Sequence, residues 1–189
     1  MKQSMYTVCM AAVLATAGNL VHADEVEDAI KEALTAYEQK DYVMAKQSLG
    51  MATQLINQLN AKALAALLPE PLAGWEAQAV SDESQGGAMF GGGISVSRRY
   101  TQSDQDLKIS IMGDSPMLSQ MMGIFQNPMI AGSMGKMTRI GKQMAMEGKD
   151  GQLTMVVANR FMVTIDGSAS MEDKKEYAKA IDLEKLKDM

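Results

Sequence analysis

The sequence predicts an α+β fold, in which an N-terminal helical hairpin is followed by an antiparallel sheet of five to six strands with helices packed on it. Three observations predict it. Up to about Leu68 the apolar residues recur at three- and four-residue spacing, from Gly74 the period becomes two, and from Glu172 a polar helical pattern closes the chain. Antiparallel hairpins with helices collected on one face satisfy the layer rule for such an order of elements.

The first residues have the order of a secretory signal peptide: a basic Met1-Lys2, an uncharged apolar run from Met5 to Ala17, a break at Gly18-Asn19, and a small-x-small site at Val21-His22-Ala23. The run is shorter than the roughly 20 residues that span a bilayer. Cleavage is expected after Ala23, giving an exported periplasmic protein with no integral membrane segment. Cys9 lies inside the apolar run, before the cleavage site, so it does not read as a lipid-attachment cysteine.

The cleavage has a chemical consequence. Cys9 is the only cysteine and His22 the only histidine, and both leave with the signal. The mature chain then has no disulfide, no Cys/His zinc or haem ligand, and no Cys–His or Ser–His–Asp nucleophile system. Loss of the commonest general acid–base lowers the expectation of an enzyme. The net charge of −5 becomes −6 when Lys2 is removed, which argues against a nucleic-acid partner.

After residues 1–23, residues 24–68 are expected to form the helical hairpin and residues 69–189 the α+β domain. The first helix, about Glu25–Glu38, places Ile30, Ala33, Leu34 and Tyr37 at helical spacing. Lys40-Asp41 breaks it, and Asp41 is the expected N-cap of a second helix reaching Leu68. The second helix carries a 4-3-4-3 seam of Ala45, Leu49, Ala52, Ile56, Leu59, Ala63 and Ala66, a mixture of small and large residues suited to close packing. Pro69-Glu70-Pro71 ends the helix.

Six strand faces are expected. They are Trp75/Ala77/Ala79, Ile94/Val96/Arg98/Tyr100, Leu107/Ile109/Ile111, Ile140/Met144/Met146, Leu153/Met155/Val157 and Phe161/Val163/Ile165. Turns are expected at Ser103–Asp106, Gly148–Gly151 and Asn159-Arg160. A closing helix should turn Tyr177 and Ile181 inward. Arg98, on an apolar strand face, calls for a carboxylate partner, as a rim ion pair or as an anion anchor in a pocket.

The distinctive feature is a methionine-rich segment, residues 112–137. Sixteen of the 19 methionines follow residue 23, and nine lie between Met112 and Met146. Ser115-Pro116 and Asn127-Pro128 are both helix-start signals. Such a segment can cover the sheet as core, offer an adaptable apolar binding surface, or present thioethers to a soft metal. The surface reading selects Met117, Met121, Met122, Phe125, Met129 and Met134, together with Met89-Phe90 in the glycine-rich Gly86–Gly93 loop. The metal reading selects Met117, Met121 and Met122 for Cu(I) or Ag(I).

Other motifs carry little. Ser133-Met-Gly-Lys136 matches Ser-x-x-Lys but has no accompanying Ser-Asp-Asn or Lys-Thr-Gly. Gly91-Gly92-Gly93 lacks the Lys-Ser/Thr of a phosphate loop and precedes a strand. Carboxylates are plentiful, but no spacing singles out an acid/base couple.

The run Gly151–Leu186 passes through strand, Asn-Arg turn, strand, Asp-Gly and polar helix to Ile181-Asp182-Leu183, and Leu72-Ala73-Gly74-Trp75 opens the sheet. In element order over the last two-thirds of the chain it resembles small exported α/β/α proteins of the Mog1/PsbP-like kind. That resemblance implies a binding or assembly module without catalysis, and it carries over no functional residue. The expectation is an exported, non-enzymatic binding or accessory protein without a cofactor, engaging a hydrophobic small molecule or an envelope protein. Thioether binding of Cu(I)/Ag(I) is the alternative, and a carboxylate-dependent hydrolase is the second.

Overall fold

The computed structural model describes residues 20–83, 93–115, 118, 123 and 127–189. The fold is α+β: two N-terminal helices, then an antiparallel sheet with helices. The chain divides into two compact units, Met1–Leu55 and Ile56–Met189, and the division falls inside the second helix.

The first unit contains α1 (Leu20–Glu38) and the first part of α2 (Tyr42–Ala65). Lys40 takes the left-handed conformation (φ 64°) in the turn, and Asp41 caps α2 by accepting the Met44 N–H at 3.0 Å. The buried residues are small: Ala29, Ala33 and Ala36 on α1, and Ala45, Ser48 and Ala52 on α2. Ser48 Oγ donates to Glu32 Oε2 at 3.0 Å. This corrects the expected helix faces, because Ile30, Leu34, Tyr37, Leu49 and Ile56 are exposed. An amphipathic stripe is wider than one neighbouring helix covers. Where small and large residues share a stripe, backbones approach most closely along the small ones and leave the large ones flanking.

The second unit holds the sheet. Its strands are β1 (Glu76–Ala77), β2 (Ser81–Asp82), β3 (Ile94–Gln102), β4 (Gln105–Gly113), β5 (Gly135–Ile140), β6 (Gln143–Gly148), β7 (Leu153–Val157) and β8 (Phe161–Asp166). The order across the sheet is β1-β3-β4-β8-β7-β6-β5, with β2 also on the outer edge of β3, and every pair is antiparallel. The helices with described bounds after the first two are α3 (Pro128–Met134), α4 (Met171–Ala180) and α5 (Leu183–Asp188).

Eight strands among the described residues exceed the expected six for two local reasons. The expected first strand is interrupted: Ala77 pairs with Tyr100 but Ser81 pairs with Ser97, so the edge carries one extra residue, a β-bulge. The expected fourth strand is a hairpin. Ile140 pairs with Gln143 across Gly141-Lys142, and Gly141 supplies the positive φ (59°) that a two-residue turn of the II′ kind needs at its first position. The hairpin also corrects the face expected for Met144 and Met146. Ala145 points into the core, and the two methionines point to the other side of the sheet.

One sheet face is aliphatic and covered. Ile94, Val96 and Tyr100 lie beside Leu107, Ile109 and Ile111, then Phe161, Val163 and Ile165, then Leu153, Met155 and Val157, and all are buried. Leu64, Leu67 and Leu68 after the middle of α2, with Trp75, Tyr177, Ala178, Ile181 and Leu186, complete this core. Tyr177 and Ile181 point inward as expected. α4 begins at a Ser170 cap that accepts the Asp173 N–H at 3.2 Å, with Glu172 and Asp173 placed favourably in the first turn. Gly113 has no space for a side chain, since a Cβ there would stand 2.5 Å from the Phe161 ring.

Arg98 occupies the expected position on the core-facing side of β3. Its Nη1 reaches Glu70 Oε1 at 3.3 Å and donates to the Pro69 carbonyl at 3.1 Å, while Nε donates to the Gln78 carbonyl at 3.0 Å. Tyr100 Oη donates to the same Pro69 carbonyl at 2.6 Å. Arg98 therefore fastens the link between α2 and β1 to the sheet.

Candidate functional site

The second face of the sheet differs in chemistry from the aliphatic one. Alternation along each strand turns Met112 (β4), Met162 (β8), Met144 and Met146 (β6) and Met137 (β5) to this side. The strand order then brings them together. Met112 pairs directly with Met162, and Met137 pairs directly with Met146. One transverse row reads Ser95, Met112, Met162 and Val156. The adjacent row reads Ser97, Ser110, Thr164, Thr154, Met146 and Met137. Directly opposed residues on one face have Cβ atoms about 4.5–5.5 Å apart, so the register sets the two side chains of each pair side by side.

The burial is graded. Met112, Met137 and Met162 are half-buried, Met146 is buried and Met144 is exposed. The buried hydroxyls of the second row are satisfied: Ser97 Oγ donates to Glu83 Oε1 at 2.7 Å, and Thr154 Oγ1 donates to Gln152 Oε1 at 3.1 Å. The face is thus an apolar, polarizable band of methionine with a strip of hydroxyl groups beside it.

α3 leads into this face. Asn127 Oδ1 accepts the Met129 N–H at 3.1 Å, and Pro128 opens the helix, as the Asn-Pro signal predicts. Met134 ends α3 and the chain enters β5 at once, carrying Met137 onto the sheet face. Met129 and Met134 are both exposed, Met129 at 86%. Of the residues selected from sequence, these two lie on described structure. Met89, Phe90, Met117, Met121, Met122 and Phe125 lie outside the described residues. The sheet-face partners Met112, Met144, Met146 and Met162 were not selected. Their signal was available in the alternation of Ile111-Met112 and Phe161-Met162-Val163, but it becomes a cluster only once β4 and β8 are neighbours.

Several charged groups of this unit are arranged in pairs. Arg160 holds Asp114 in a two-pronged contact, at 2.6 Å through Nε and 2.8 Å through Nη2. Lys108 Nζ lies 2.7 Å from Glu83 Oε1, Lys175 Nζ lies 3.0 Å from Glu147 Oε1, and Arg99 pairs with Asp106. Each carboxyl is held below its ordinary range. The chief cause is hydrogen bonding, from Arg160 to Asp114, Lys108 to Glu83, Lys175 to Glu147, and Ser168 to Asp106. Groups whose folded pKa is depressed stabilise the fold fully above the unfolded value, near 4, and lose that contribution as pH falls through the folded value. The urea midpoint is therefore expected to be level above about pH 5 and to decline steadily below about pH 4. A midpoint that rises on acidification would contradict these pairings.

No group of three or more His, Cys, Asp or Glu side chains able to hold a metal ion occurs among the described residues. No helix among them is long and apolar enough to cross a membrane. Compared with protein-family models, curated proteins and solved structures, the chain matches none.

Proposed function

We propose that this chain is an exported, non-catalytic binding or accessory protein that engages a hydrophobic ligand or an apolar segment of an envelope protein through the methionine-bearing face of its sheet and the adjoining α3. The observation that carries this reading is the convergence of Met112, Met137, Met144, Met146 and Met162 on the face opposite the aliphatic core. A sheet needs one apolar face to fold, and this one carries a band of methionine on the other as well. Methionine suits that second face because its unbranched, polarizable side chain adapts to irregular apolar partners. The carboxylates with resolved shifts support a non-catalytic reading. All are pushed down by donors, whereas a carboxyl acting as general acid near neutrality must be pushed up.

A second reading rests on the direct pairs Met112–Met162 and Met137–Met146. Paired thioethers are soft ligands and would select Cu(I) or Ag(I) over harder ions. Native mass spectrometry of the protein recovered from its own cell separates the two. A retained lipid-like mass is expected, and it should disappear in the double variant Met112→Ser/Met162→Ser while the far-UV circular dichroism is unchanged. If Cu(I) added under reducing conditions forms a stoichiometric adduct that the same variant loses, and no organic mass is retained, the thioether reading replaces the first. A retained mass that survives the double variant would place the ligand elsewhere and sink the sheet-face reading.

A further inference from the structure

The first unit leaves its large apolar residues without cover. Ile30, Leu34 and Tyr37 follow one another by four and three residues along α1, and Tyr42 and Leu49 are seven apart on α2. Such spacings keep each set on one side of its helix. The rings of Tyr37 and Tyr42 meet across the turn at 6.0 Å, so the two sets share one face of the hairpin. All five are exposed, from 46% at Ile30 to 63% at Tyr37. The residues the hairpin does bury are alanines and a serine, too little apolar volume to hold two helices together by themselves.

We propose that this face is a dimerisation surface, and that its occupant is the same face of a second copy of the chain, giving an antiparallel four-helix bundle. Two features fit a second copy. The first is area: the five side chains expose on the order of 600 Å² per chain, close to the roughly 800 Å² per partner of a standard interface. The second is register. Because Tyr37 is level with Tyr42, Leu34 one turn back is level with the gap between Tyr42 and Leu49. A twofold axis along the helices therefore sets Leu34 into the corresponding gap on the second copy, a ridge meeting a groove as in bundles. The opposite flank of the hairpin is polar on α1, at Glu32, Thr35 and Gln39, and carries the exposed Met44 and Met51 on α2.

Sedimentation equilibrium of the protein recovered after export, across a hundredfold range of concentration, tests this. A dimer is expected. Leu34→Glu and Leu49→Glu should each raise its dissociation constant by more than about tenfold, because each buries a charge at the centre of the interface. Met51→Glu, an exposed apolar site on the opposite flank of α2, should leave it within a factor of two. If the glutamate variants lose helix content, Leu34→Ser and Leu49→Ser with native far-UV circular dichroism give the same comparison. A protein that is monomeric throughout the range overturns the proposal. So does a dimer that survives both Leu34→Glu and Leu49→Glu, or one broken only by Met51→Glu. The methionine-face reading is untouched by any of these results.

Discussion

Replacing Tyr177 with alanine is expected to remove about 3–5 kcal/mol of the stability of the second unit, the range found for deleting a buried aromatic ring. Tyr177 is fully buried on α4 and is the hub of an aromatic cluster. Its ring lies 5.5 Å from that of Trp75, edge to face, and 4.6 Å from that of Tyr100. Its hydroxyl accepts the Leu72 N–H at 3.2 Å, and burial raises its pKa. The ring thus joins three parts of the unit: α4, the strand β3, and the link from α2 to β1. Tyr177→Phe retains the rings and strips only the hydroxyl, so it should cost about 1 kcal/mol, the value of one hydrogen bond. Trp75 is the chain's single tryptophan and stands against Tyr177, so its fluorescence follows urea unfolding of this unit directly. A loss below about 1.5 kcal/mol for Tyr177→Ala would mean that the cluster is not the keystone its geometry suggests.

That cluster illustrates what was legible in the sequence. The inward positions of the central strands follow from strict period-two alternation, and residues such as Leu107, Ile109 and Ile111 admit no other face. The closing helix was legible from its polar pattern and from Tyr177 and Ile181 on one side. The error at Met144 and Met146 came from extending one strand across Gly141-Lys142. A Gly-x pair is itself a hairpin signal, and reading it would have reversed the face. The hairpin helices failed differently. An a/d-like stripe announces that a helix face is apolar, but not which part of the stripe the nearest neighbour takes. Alanine took the contact here because it permits the closest approach.

The candidate site was less legible for a topological reason. Met112 and Met162 lie far apart in sequence and are joined only because β4 pairs with β8, leaving the β5–β6–β7 meander to continue from the far side of β8. Sequence alternation places each methionine on a side of its own strand. Only strand order converts those separate sides into one face. The attraction of the Met117–Met122 cluster in sequence came from local density, which is a weaker guide to a surface than transverse register.

Lys174 carries the second large expected effect. It is 3% exposed on α4, and its Nζ donates to the Gly151 carbonyl at 2.6 Å and to the Gly167 carbonyl at 2.7 Å. Both acceptors belong to glycines with positive φ, 82° in the β6–β7 turn and 118° after β8, so their carbonyls are aimed by backbone conformations that other residues rarely adopt. One amine therefore ties the turn before β7, the end of β8 and α4 together at the rim of the core. Lys174→Ala removes the packing of the stem and leaves two inward-facing carbonyls without a donor, at about 1–3 kcal/mol for each buried unsatisfied group, so a loss of about 2–4 kcal/mol is expected. Lys174→Met keeps most of the stem and removes only the amine. If hydrogen bonding dominates, Lys174→Met should be destabilised nearly as much as Lys174→Ala, and hydrogen exchange should quicken first in the β6–β7 turn. If Lys174→Met instead matches the parent within about 0.5 kcal/mol, the lysine acts through its hydrocarbon stem alone, and the two glycine carbonyls must find water in its place.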